Sequence, residues 1–66
     1  MRIVLNGREE DIETGTTVAG LVAAAGLADR RVAIEVNREI VPRSDYARRA
    51  LVADDRVEVV HAIGGG

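Results

Sequence analysis

The apolar content of this chain is almost wholly Val, Ile, Leu and Ala, with no Phe, Trp or Cys and Tyr46 as the single aromatic. Sixty-six residues leave room for one small domain. A domain of this size buries only about 60% of the surface that its unfolded chain exposes. Small scaffolds commonly offset that shortfall with disulfides or a structural metal. Without cysteine there is no disulfide framework and no thiolate ligand, and one histidine, His61, cannot build a soft-ligand metal centre. What remains is a closely packed aliphatic core with little tolerance for voids.

The distribution of apolar residues says which elements enclose that core. Met1-Arg2-Ile3-Val4-Leu5 is followed by Asn6-Gly7, the strongest short hairpin cue, because both central positions of a type I′ turn need positive φ. The return strand Arg8 to Ile12 is densely charged, as befits a sheet edge that must not pair with other chains. Thr17 is a suitable N-cap for a helix over Val18 to Ala25. Val18, Leu21, Val22 and Ala25 fall at i, i+3, i+4 and i+7 and form one apolar face. Gly26 stands where a left-handed C′ residue ends a helix.

Beyond the helix, Val32-Ala33-Ile34-Glu35-Val36 alternates as a strand. Asn37-Arg38 is a turn, and Glu39-Ile40-Val41 leads out to Pro42, which ends pairing. Ser44 to Arg49 is expected to form one helical turn capped by Ser44. After the turn signal Asp54-Asp55, the last strand runs from Arg56 to Ile63. Val57, Val59, His61 and Ile63 share one of its faces, and Glu58, Val60 and Ala62 the other. The order ββαββ predicts an α+β fold in which one main helix covers one face of a mixed sheet of about four to five strands. The opposite sheet face is left for solvent or a partner. The domain is expected over residues 1–63, with 64–66 as a flexible tail.

Charge narrows the partners. The formal net charge is −2 and every cation is Arg. Residues 1–29 carry two Arg against five acids, and residues 30–66 seven Arg against six acids. Nothing in this balance suits nucleic acid, and no basic or aromatic array is present to read it. No apolar stretch approaches the ~20 residues that span a membrane, and the start lacks the layout of a secretory signal. A cytoplasmic location is the expectation.

Gly64-Gly65-Gly66 directly follow the apolar run Val57 to Ile63. Glycine lets a chain enter a narrow slot and take backbone angles closed to other residues. Read as the terminal residue, Gly66 offers a carboxylate that the rest of the domain can present at a distance. A carboxylate is a poor electrophile until ATP-derived chemistry makes it an acyl-adenylate, whose AMP a sulfur nucleophile can displace to leave a thiocarboxylate. The chain has no phosphate-cradling glycine loop and no nucleophile–base pair for that step. His61 lacks an orienting partner and is read as an edge residue. The domain is therefore expected to be a substrate or carrier rather than an enzyme, with no bound cofactor and no metal. Val60 and Ala62, beside the tail, are candidates for docking.

Several segments together are similar to one known family. They are the short N-terminal strand with Asn6-Gly7, Thr17-Val18 opening the helix, Val32-Ala33-Ile34-Glu35-Val36-Asn37, Ile40-Val41-Pro42-Arg43, Tyr46, and Val59-Val60-His61-Ala62-Ile63-Gly64-Gly65-Gly66. The chain resembles the sulfur carrier proteins of thiamine biosynthesis, within the ubiquitin-like β-grasp group. The tail alone is shared with molybdopterin-synthase small subunits and with ubiquitin-like modifiers, whereas the Asn37 to Arg43 segment and the compact length point to the thiamine branch. The resemblance implies that an E1-like enzyme uses ATP to adenylate Gly66. Sulfur from a cysteine desulfurase or rhodanese-type donor then forms the thiocarboxylate, and thiazole synthase takes that sulfur. Gly64 and Gly65 would thread partner active sites, with Ile63, Val60 and Ala62 at the docking surface. A single Tyr replaces the richer aromatic set of some relatives.

Overall fold

A computed structural model describes residues 1–61; the features expected at Ala62, Ile63, Gly64, Gly65 and Gly66 lie outside the described residues. The elements run β1 (Arg2–Leu5), β2 (Arg8–Asp11), α1 (Val18–Ala24), β3 (Val32–Val36), β4 (Glu39–Val41), a 3-10 turn (Arg43–Asp45) and β5 (Arg56–His61). The five strands form one sheet in the order β2-β1-β5-β3-β4. β1 and β5 are parallel, and the other neighbours are antiparallel. This is the β-grasp arrangement, with the last strand in the middle of the sheet.

The turns follow the local chemistry. Asn6 and Gly7 take φ of 50° and 81°, and Asn37 and Arg38 take 52° and 71°. Both hairpins therefore close through left-handed residues, the second without any glycine. Thr17 caps α1 by accepting a hydrogen bond from the Gly20 N–H at 3.1 Å. Ala25 is the C-cap, and Gly26, at φ 74°, turns the chain out of the helix. The turn after β4 departs from expectation. It is a short 3-10 segment over Arg43–Asp45, its cap position is Pro42, and no side chain caps it. Pro42 holds an extended backbone at φ −61°, ψ 144°, so Ser44 falls inside the turn instead of before it.

One layer of aliphatic side chains joins helix and sheet. Ile3, Val18, Ile34 and Val36 are fully buried, joined by Leu21, Val22, Val41, Leu51 and Val57. Each such burial is worth about 1.5–3 kcal/mol. Ala25, expected on the apolar helix face, is instead exposed: it is the C-cap, its N–H still bonded to the Leu21 carbonyl, at the last turn of the helix before Gly26 carries the chain away. Tyr46 is half-buried and packs on the edge of this core. On the charged edge, Arg2 donates to Glu9 at 3.0 Å and to Asp11 at 3.3 Å. These contacts, Asp11 first, raise the pKa of its guanidinium and hold it protonated.

Candidate functional site

The site is built around β5, the strand that leads into residues 62–66. Its pairing with β3 sets which side chains share a face. Val57, Val59 and His61 stand opposite Val36, Ile34 and Val32, while Glu58 and Val60 stand opposite Glu35 and Ala33. Since Val36, Ile34 and Val57 are core residues, the first set faces the helix. Glu58 and Val60 face the open side, as the alternation predicts.

Val60 is 47% exposed there. Sequence reasoning passed over its companion. Ile40, 62% exposed, lies on the same open face, opposite Glu35 on the far side of β3. Its signal was the strict alternation of Glu39-Ile40-Val41: once Val41 is buried, Ile40 must point the other way. Between the two apolar residues sit Glu35 and Glu58, directly opposite each other. Like charges so placed oppose pairing, and among the described residues neither carboxylate forms an ion pair.

Two asparagines fix the first part of β5. The Asn37 side chain accepts from the Arg56 N–H at 3.0 Å and donates to Asp55 Oδ1 at 3.0 Å, and the Asn37 N–H donates to the Arg56 carbonyl at 2.7 Å. Asp55 is only 5% exposed and completes the clasp by accepting from the Val52 N–H at 2.8 Å. Further along, β1 pairs with β5 only as far as Val57. The side chain of Asn6 then adds one more rung, its Oδ1 accepting from the Val59 N–H at 2.8 Å. Both asparagines were legible as turn residues; their second task, holding a strand distant in sequence, was not.

His61 is exposed, and among the described residues nothing hydrogen-bonds its ring, so no acid–base pair is assembled there. Among the described residues no group of His, Asp and Glu is arranged to hold a metal ion. No helix among them is long and apolar enough to cross a membrane.

The sequence profile of the ThiS family matches residues 2–66 of this chain, the glycine run included. The chain belongs to the ThiS family. The sulfur carrier protein ThiS of Bacillus subtilis is 35% identical over 63 residues, a match that covers 94% of this chain and 96% of that protein. A thiazole synthase of Magnetococcus marinus is 47% identical over 66 residues, and one of Paramagnetospirillum magneticum is 44% identical. The chain spans only 20% of the length of each of these two synthases. Among solved structures, the crystal structure of the thiamine biosynthesis protein ThiS of Geobacter metallireducens superposes with a TM-score of 0.87 at 26% identity, each chain fully covered. The ubiquitin-like architecture expected from the sequence is thus the family's own.

Proposed function

We propose that this ThiS-family domain is a sulfur carrier of thiamine biosynthesis, a substrate of other enzymes rather than an enzyme itself. The observation that carries the reading is the reach of the family match to Gly66, so that a β-grasp domain whose central strand is its last is followed in sequence, after Ala62 and Ile63, by a glycine run. In this reading the Gly66 carboxylate attacks the α-phosphorus of ATP on an E1-like partner, giving the acyl-adenylate and pyrophosphate. The terminal persulfide sulfur of a desulfurase- or rhodanese-type donor then displaces AMP to give an acyl disulfide. A thiol cleaves its S–S bond, forming a disulfide with the donor and leaving the terminal thiocarboxylate. ATP is bound by the partner, where the phosphoryl chemistry is done. Gly64 and Gly65 enter the partner's channel, and Ile63, Ala62 and Val60 bear on its surface.

Thiazole synthase is the acceptor of that sulfur. Support comes from the two bacterial thiazole synthases that contain a segment similar to this whole chain. A carrier joined to its acceptor works at a high effective concentration, so such fusions fit a carrier and acceptor that operate together. The cytoplasm, where ATP is available, is the proposed location.

Intact mass spectrometry tests the reading. After incubation with ATP, a sulfur donor and the E1-like enzyme, the carrier should gain the mass difference of one sulfur for one oxygen, located at Gly66 by fragmentation. Adducts to protein lysines would instead mark a modifier, and an unchanged mass with a competent enzyme would reject both. The Gly66-deleted chain should remain folded and fail to support thiazole formation.

A further inference from the structure

At the end of the sheet from which β5 departs there is a notch of about 250 Å³, lined by Arg31, Val32, Ala33, Arg43, Val60 and His61. Its floor is the start of β3, where Val32 and Ala33 pair with His61 and Val60. Its far wall comes from the segment after β4, which leaves its pairing with β3 at Val41 and continues through Pro42 to Arg43. Among the described residues three basic side chains line the notch and no acidic one does, although acids outnumber Arg in the whole chain. The Arg43 guanidinium lies 6.0 Å from the centre of the Tyr46 ring. That contact steadies the group without using its N–H donors. Among the described residues those donors form no hydrogen bond or ion pair.

We infer that this notch receives an acidic side chain of the adenylating partner, from the rim of the channel that takes up the tail. The inference rests on the carrier reading above and adds to it the chemistry of the contact. Five residues separate His61 from the end of Gly66, and they span at most about 17 Å when fully extended. An enzyme whose active site reaches Gly66 therefore comes up against Val60 and His61, which are also walls of the notch. A guanidinium presents paired N–H donors that match a carboxylate, which an ammonium does not. The apolar walls Val32, Ala33 and Val60 shed water when covered, and an ion pair closed off in this way is stronger than one left in water. The notch thus selects for charge and register at the place where the tail begins.

Charge reversal tests the inference. Arg43→Glu, Arg31→Glu and the double variant are compared with Arg8→Glu, which reverses a charge on the opposite edge strand, and with Arg43→Gln. Thermal melting of every variant first establishes that it folds. Binding to the E1-like enzyme is then measured over a range of salt concentrations. The double variant should bind about tenfold or more weakly than wild type with a flattened salt dependence, Arg43→Gln should fall between, and Arg8→Glu should change binding by less than about threefold. Replacing the matching Asp or Glu of the enzyme by Arg should restore the double variant. Equal effects of the double variant and Arg8→Glu would overturn the inference, as would micromolar binding of free inorganic phosphate in the notch, which would make it a small-anion site. If wild type is adenylated and the double variant is adenylated equally well, the notch inference fails and the carrier reading stands. If wild type is neither bound nor adenylated, the carrier reading fails and takes the named partner with it.

Discussion

Asp55 is a buried carboxylate in the turn before β5, and its partners account for its burial. It takes one hydrogen bond from Asn37 and one from the Val52 backbone, while Asn37 in turn holds the Arg56 N–H. Replacing Asp55 by Ala leaves two donors facing the gap, one of them the Val52 N–H. Bonds to a charged acceptor are worth about 1.5–3 kcal/mol, so Asp55→Ala should cost about 2–3 kcal/mol, read as a lowered denaturant midpoint with an unchanged m-value. Total stability for a chain this short is on the order of 3–10 kcal/mol, so the loss is a large share. A rise in stability would refute the clasp. The sequence marked Asp54-Asp55 as a turn and nothing more. Burial of the second Asp depends on an asparagine 18 residues away, and no local pattern encodes such a partner.

The helix is the element whose sequence signals agreed best with its structure. Its cap, buried triad and terminal glycine all lie where spacing and turn chemistry put them, because each depends on neighbours within four residues. It is also short, with seven residues and an interior glycine. A Cβ on Gly20 would meet only Thr17 Oγ1 at 3.5 Å and Thr16 Cγ2 at 3.6 Å, ordinary contacts. Gly20→Ala should therefore stabilise the domain by up to about 1 kcal/mol through helix propensity. Gly26→Ala should do the opposite and cost about 1–2 kcal/mol, since its φ of 74° is left-handed and strained for alanine. Thermal melts of the two variants should move in opposite directions. The segment after β4 was read less well, because proline fixed its entry and displaced the expected Ser44 cap.

At the scale of the whole molecule, strand order and the parallel β1–β5 contact were the least legible features. Hydrophobic alternation fixes which face a residue takes, but not which strand lies beside it. Val60 was found by alternation, Ile40 was missed because its short strand was not assigned faces, and the notch became visible only once β3, β5 and the exit from β4 were in register. Val60→Glu alters an exposed side chain on the helix-free face, so the melting temperature should stay near wild type. Its kcat/KM for adenylation should fall about tenfold, the equivalent of 1.4 kcal/mol of lost contact. Unchanged kinetics would remove this face from the docking surface. The central position of β5 has a mechanical consequence as well. A force applied beyond residue 61 runs along a strand held on both flanks, by β3 over its whole length and by β1 and Asn6 near its start. Such a load must shear many hydrogen bonds at once, whereas a tail hung on an edge strand would peel off one rung at a time. Pulling on both chain ends in a single-molecule experiment should therefore meet one high force peak, and Asn6→Ala should lower it. A partner can tug on this tail without unravelling the body that carries it.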